Sequence, residues 1–196
     1  MSHQSCVIIM LKYPRPGMVK TRLGQELGQE CAAWLYRCFV ACELEMLQSL
    51  QVPVLLSCDP GSAILKYQEW LGPGFNYLLQ AGDDLGARMQ SSFEQAFELG
   101  FTQAVLVGSD LPHLPAAYMQ LALDRLQEHA TVLGPALDGG YYLLGMNRQG
   151  FQPYIFEGIP WSTSQVFNST LKKLEEYQIK TFFLPSLRDI DTVQDL

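Results

Sequence analysis

Four of the chain's thirteen Lys and Arg residues fall within eleven positions: Lys12, Arg15, Lys20 and Arg22. They lie in the segment KYPRPGMVKTRL, residues 12–23, between an apolar run and a helical pattern. Gly17 lets backbone approach a ligand closely. The free N–H groups of a following helix add partial positive charge. Lys12, Gly17, Lys20, Thr21 and Arg22 therefore read as a cradle for a polyphosphate. It is no Walker A loop, because Val19 rather than Gly precedes the Lys20-Thr21 pair. The competing reading is a solvated basic loop.

A second segment, Val107-Gly-Ser-Asp-Leu-Pro112, ends the most apolar strand pattern in the chain. A carboxylate at the tip of a central strand suits Mg²⁺ or Mn²⁺, since Mg²⁺ takes one or two protein carboxylates and fills its shell with phosphate and water oxygens. Asp110 is that candidate, with an N-cap or Asx-turn role as the plain alternative. In a third segment, Gly134–Tyr142, Asp138-Gly139-Gly140 reads equally as a hairpin turn and as a place where backbone meets a sugar or acceptor beside stackable tyrosines. Weaker signals are Asp84 and Arg88 at a helix start, and the carboxylates of Arg188-Asp-Ile-Asp-Thr192. Of that last pair Asp191 is taken as the second metal ligand, against a polar C-terminal turn. His3, His113 and His129 show no metal spacing, and His113 reads as structural or surface.

These segments need strands to end where they begin. Strand patterns at Cys6–Leu11, Pro53–Ser57, Phe75–Leu79, Gln103–Val107, Thr131–Leu133, Tyr141–Met146 and Lys180–Leu184 alternate with helical patterns. The helical patterns cover Gln25–Leu50, Ala63–Leu71, Leu85–Leu99, Pro115–Glu128 and Ser164–Tyr177. That alternation predicts βαβ units and a mainly parallel sheet. Ligands of such sheets sit at the carboxyl ends of strands, where the three segments fall. No repeat or linker divides residues 1–196, so a single domain is expected.

The formal charge is −7 and no basic run stands out, which argues against a nucleic-acid partner. No apolar stretch reaches the roughly 20 residues that span a bilayer. No basic region precedes the first apolar run, so no signal peptide is expected. Cys6, Cys31, Cys38, Cys42 and Cys58 lack metal spacing and read as reduced, mostly buried thiols of a cytoplasmic protein.

Together the motifs resemble one family in order. They are Lys12-x-Pro-x-Pro-Gly-x-x-Lys-Thr-Arg-Leu, Gln80-x-Gly-x-Asp-Leu-Gly-x-Arg-Met, Gly108-Ser-Asp-x-Pro, Gly134-Pro-Ala-x-Asp-Gly-Gly-Tyr-Tyr-Leu, Trp161-Ser-Thr and Asp189-Ile-Asp-Thr. The set is similar to the radical-SAM/selenodomain-associated glycosyltransferase-like family, over nearly the whole chain. The resemblance implies an α/β, GT-A-like (nucleotide-diphospho-sugar transferase) three-layer sandwich with a mainly parallel mixed sheet. It also implies kinship with phospholactate and molybdenum cofactor guanylyltransferases. The loop Lys12–Arg22 would grip the nucleotide, Asp110 the metal, and Asp138-Gly139-Gly140 the acceptor or sugar. Lys12-Tyr13-Pro14 stands where the guanylyltransferases have a Gly-rich start, so their contacts do not carry over.

The expected reaction is nucleotidyl transfer from a nucleoside triphosphate to a small acceptor, with Lys20 and Arg22 offsetting charge on the leaving pyrophosphate. Glycosyl transfer from a nucleotide sugar is the alternative. A nucleotide-binding module without turnover is the alternative of another class. A homodimer through the amphipathic Gln25–Leu50 stands open beside a core role for that face.

Overall fold

The computed structural model describes residues 4–196, so His3 lies outside it. The strands are β1 (Ser5–Lys12), β2 (Val54–Asp59), β3 (Asn76–Leu79), β4 (Gln103–Val107), β5 (Thr131–Pro135), β6 (Tyr141–Asn147) and β7 (Thr181–Phe183). The helices are α1 (Thr21–Leu27), α2 (Gln29–Ser49), α3 (Ile64–Leu71), α4 (Leu85–Glu98), α5 (Ala116–Arg125) and α6 (Val166–Glu176). The seven strands form one sheet in the order β3-β2-β1-β4-β6-β5-β7. β1 pairs in parallel with β2 and β4, β2 with β3, and β5 with β7, while β6 runs antiparallel to both its neighbours. This is the expected mainly parallel mixed sheet.

The strands are continuous apolar runs because both faces are covered. Period-two alternation then divides each run between two cores. Val7, Ile9, Leu11, Val105 and Val107 join Tyr36, Val40 and Leu47 of α2 and Met119 of α5 on one face. Cys6, Ile8, Ala104 and Leu106 join Met89, Phe93 and Phe97 of α4 and Leu174 of α6 on the other. The result is a three-layer sandwich.

One helix pattern divides in two. Residues 25–50 carry helical spacing throughout, but Gly28 sits at φ 87°, ψ 146°, ending α1 and starting α2. Only glycine enters that conformation cheaply, so the chain turns there. α1 also starts earlier than its pattern suggests, directly after Lys20, which holds a left-handed φ of 45°.

The five thiols are free, as expected. Cys6 and Cys58 are buried, but Cys31 and Cys42 are exposed on α2, so the reading of mostly buried thiols holds only in part. Among the described residues no helix is long and apolar enough to cross a membrane.

Candidate active site

The carboxyl ends of β1 to β4 and the start of the reversed β6 open on one edge of the sheet. A cleft of about 1080 Å³ lies there, lined by Lys12, Lys20, Thr21, Arg22, Asp84, Arg88, Asp110, Asp138, Gly140 and Asp191, among others. Most residues singled out from the sequence thus converge. Gly17 does not: it lines a smaller neighbouring cavity with Gln29, and its φ of 78° serves the loop's turn. His113 is exposed and outside the cleft.

The centre of the cleft is a junction of opposite charges. The Lys20 side chain is 4% exposed, and its Nζ sits 2.6 Å from Asp110 Oδ1 and 3.3 Å from Asp191 Oδ1. It also donates to the Ile190 carbonyl at 2.7 Å. An ammonium has three donors, and all three are taken. Lys20, expected from the sequence to meet the phosphates, here straps the C-terminal segment against the β4 loop. Arg22 is 72% exposed and reaches Asp191 Oδ2 at 3.2 Å, which leaves most of its guanidinium toward solvent.

That C-terminal segment is itself capped. The Thr192 amide and hydroxyl donate to Asp195 Oδ2 at 2.9 and 2.6 Å, and the Asp191 amide donates at 3.3 Å. Those hydrogen bonds, those of Thr192 first, hold the Asp195 carboxyl down at about 2. The turn carries Asp189 into the cleft as well. Asp189 Oδ1 is buried without a partner. Burial first, then Asp138, Asp110 and Asp191, push its carboxyl up to about 7, with Lys20 opposing. The sequence pair therefore contains two different carboxylates: Asp191 is neutralised by two cations, and Asp189 is not.

The β4 loop is held from below by α2. The Lys12 amide donates to Tyr36 Oη at 3.0 Å, Tyr36 Oη lies 2.7 Å from Ser109 Oγ, and Ser109 Oγ donates to the Met10 carbonyl at 3.0 Å. One step further on, the Leu111 amide donates to Glu43 Oε1 at 2.9 Å. Glu43 is 2% exposed and its Oε2 is unpaired. Burial pushes its carboxyl up to about 8; the Leu111 bond and Lys20 act against this and Asp110 with it. The sequence reading missed Tyr36 and Glu43. The available signal was a Glu on the otherwise apolar buried stripe of α2, seven residues after a Tyr, which puts both on one face.

At the β2 side, Arg88 Nη1 pairs with Asp59 Oδ2 at 2.9 Å and its Nε donates to the Gly82 carbonyl at 3.1 Å. Gln80 Nε2 donates to the Leu11 and Ser57 carbonyls at 3.3 and 2.8 Å, tying the ends of β1 and β2. Asp84 caps α4 by accepting from the Ala87 amide at 2.8 Å. That is the role its position before a helix favours.

At the β6 side, Asp138 Oδ1 accepts from the Gly140 amide at 2.8 Å. Gly139 stands at φ 93°, and a Cβ there would come 2.2 Å from the Ser164 carbonyl oxygen. The turn is therefore clamped against residues 161–166, and the Phe167 amide donates to the Gly139 carbonyl at 2.9 Å. The two tyrosines that follow are not both free to stack on a ligand. Tyr142 is 4% exposed and donates to the Pro185 carbonyl at 3.0 Å, while Tyr141 sets its ring edge against Trp161.

Among the described residues no three His, Cys, Asp or Glu side chains form a closed metal cage. An open site for Mg²⁺ or Mn²⁺ needs fewer. The unpaired Asp189 oxygen among neighbouring carboxylates is a place where added positive charge would relieve repulsion, so the donor set fits such an ion.

Comparison with known proteins agrees with this architecture. A protein of Desulfovibrio desulfuricans G20, described as a candidate nucleotide-diphospho-sugar transferase, shares 41% identity over 99% of this chain and 85% of that one, with a TM-score of 0.95. At lower identity the fold alone is shared. A 4-diphosphocytidyl-2C-methyl-D-erythritol synthase superposes with a TM-score of 0.63 at 9% identity, over 100% of this chain and 95% of that one. Rv0371c of Mycobacterium tuberculosis H37Rv, in complex with manganese, does so with 0.58 at 14% identity, over 98% and 96%. No protein of curated function matches the sequence. The fold is that of the nucleotide-diphospho-sugar transferases. Residues 43–163 match the family described as "Uncharacterized protein conserved in bacteria (DUF2064)", and the chain belongs to that family.

Proposed function

We propose that this protein is a metal-assisted transferase that takes a nucleoside triphosphate and passes its nucleotidyl group to a small acceptor. The observation that carries the reading is the meeting, at one sheet edge, of Asp110, Asp189 and Asp191 with Lys20 and Arg22. Pure binding of a nucleotide gives no reason for a buried carboxylate oxygen to stand unpaired at that point. The radical-SAM/selenodomain-associated branch is kept as the narrower family proposal, on the order of motifs from Lys12 to Asp191.

Asp110 with one of Asp189 and Asp191 would hold Mg²⁺ or Mn²⁺, which supplies charge neutralisation at the phosphate oxygens. That ions of this kind are found with the fold is supported by the manganese complex of the M. tuberculosis protein. Lys20 keeps the two outer carboxylates side by side. Arg22 and Lys12, at the rim, face the polyphosphate. An acceptor oxygen then attacks the α-phosphorus, the bond from that phosphorus to the pyrophosphate oxygen breaks with its electron pair, and the acceptor proton leaves to solvent through the open cleft. Most of the acceleration is positioning and electrostatics.

Glycosyl transfer from a nucleotide sugar uses the same cleft. The description of the D. desulfuricans protein favours it as the second reading. The products separate them: pyrophosphate for the first, nucleoside diphosphate for the second. The test is a thermal-shift screen of ATP, GTP, CTP, UTP and nucleotide sugars with and without Mg²⁺, followed by product analysis with the ligand that binds. A ligand at a hundred times its dissociation constant adds about 2.7 kcal/mol. A metal-dependent shift with one triphosphate and released pyrophosphate is expected. No shift with any of them overturns the reading.

A further inference from the structure

Carboxylates line the whole cleft, Asp83, Asp84, Asp110 and Asp191 as well as Asp138 and Asp189, but its cations are confined to one side. The cleft-lining residues include four cationic side chains, Lys12, Lys20, Arg22 and Arg88. Lys20 and Arg22 are turned to Asp110 and Asp191, and Arg88 to Asp59 at the end of β2. Beyond β4, where β6, β5 and β7 continue the sheet, the lining changes character. It consists there of the 138–141 turn, the 161–166 segment and Asp189. These supply two carboxylates, the hydroxyls of Ser162, Thr163 and Ser164, and the rings of Tyr141 and Trp161, and no Lys or Arg. The nearest cation in sequence, Arg188, is 69% exposed and is turned to Asp195 at 3.6 Å.

The aromatic wall of this half is built in. A Cβ on Gly86 would come 2.4 Å from Trp161 Nε1, so the indole lies flat on the start of α4 at a place where only glycine leaves room. The indole N–H is buried without a partner. A fixed ring, a bank of hydroxyls and fixed carboxylates bind a molecule through its own hydroxyls and its C–H faces. The carboxylate of Asp138, which lies outside the proposed metal set, repels a phosphate: like charges set opposite one another are a standard means of rejecting a wrong partner.

From this segregation we infer that the acceptor is an uncharged polyhydroxylated molecule, a sugar or polyol, and not a phosphorylated one. The inference rests on the transferase reading above and names the substrate class of its second half-site. Asp138 excludes the phosphate, Trp161 and Tyr141 carry the apolar face, and Ser162 and Ser164 meet the hydroxyls, the Thr163 hydroxyl being held by the Pro160 carbonyl and the Gln165 amide.

The test separates the two levels. The protein is first saturated with Mg²⁺ and the triphosphate that stabilises it; if none of the four does, the transferase reading falls and this inference with it. The loaded protein is then titrated with a pool of neutral probes (D-glucose, D-mannose, D-ribose and glycerol) and with the matching pool of their monophosphates. The signal is tryptophan fluorescence, with W161F as the control that must lose it. Half-saturation by the neutral pool at a concentration at least about tenfold below that of the phosphates is expected. Asp138→Asn, which keeps the carbonyl acceptor for Gly140 and removes the charge, narrows that ratio. Equal or tighter response to the phosphates, no response to either pool, or an unchanged ratio in D138N overturns the inference while leaving nucleotide binding intact.

Discussion

Replacing Glu43 with Gln should flatten the pH dependence of stability and, near neutrality, reverse the order of stability between parent and variant. Glu43 is a buried carboxyl whose Oε1 accepts from the Leu111 amide and whose Oε2 has no partner. Unfolded, it titrates at its ordinary 4.5; folded, burial lifts it to about 8. Between those values the folded chain holds one proton more than the unfolded chain. The folded state is thus favoured at the acid end, and stability falls as pH rises. One proton gives a slope of about 1.4 kcal/mol per pH unit. Over the whole window the loss is at most about 5 kcal/mol, a large share of a typical fold stability of about 5–15 kcal/mol.

Gln keeps the size and the oxygen acceptor but does not ionise. Its NH₂ takes the place of the unpaired Oε2 and costs about 1–3 kcal/mol at every pH. The two stability curves must therefore cross. With that slope starting at 4.5 the crossing falls between about pH 5 and 7: E43Q is less stable than the parent below it and more stable near pH 8. Asp189 titrates in the same region, pushed up to about 7, but it is present in both proteins and cancels in the difference. Urea denaturation followed by far-UV circular dichroism, at half-unit steps from pH 5.5 to 8.5, reads this directly. Parallel curves with equal m-values would refute the reasoning, because they would mean Glu43 releases its proton in the fold as easily as outside it.

Three further outcomes are expected. Asp110→Asn should lower turnover about a hundredfold or more while the apo protein melts within a few degrees of the parent, as turnover and melting scans would show. Tyr36→Phe removes the hydroxyl that accepts from the Lys12 amide and meets Ser109; a buried amide without an acceptor costs about 1–3 kcal/mol, read as a shifted urea midpoint at constant m. Gly86→Ala forces the Trp161 ring to move, costing about 1–3 kcal/mol and shifting the tryptophan emission; an unmoved spectrum with unchanged stability would contradict the contact.

Much of the fold was legible because its signals are local. The run Gln103–Val107 is apolar at its heart since that strand is covered on both faces, and the Gly108-Ser109-Asp110 turn follows from where the run stops. The break at Gly28 was less legible. A single Gly inside a helical pattern is usually tolerated, and only the φ of 87° shows that here it is not. The pairing of Lys20 was illegible for a different reason. In sequence this residue is one of four cations in a loop. Its fate depends on Ile190 and Asp191, some 170 residues away, and no local pattern encodes that pairing.

The same limit explains the choice between Asp189 and Asp191. Their spacing of two puts both on one side of an extended segment, so sequence makes them equivalent. They differ only in what comes to meet them. Lys20 and Arg22 both reach Asp191, and among the described residues nothing reaches Asp189 Oδ1. A carboxylate that is already paired gains little from a further cation, whereas one that is buried, unpaired and beside three others gains much. The residue with the stronger need for a metal is therefore the one whose neighbours left it alone. An Asp189→Asn variant should lose more metal-dependent stabilisation by nucleotide than Asp191→Asn does, and the reverse order in a Mg²⁺ titration of the nucleotide-induced melting shift would assign the second ligand to Asp191.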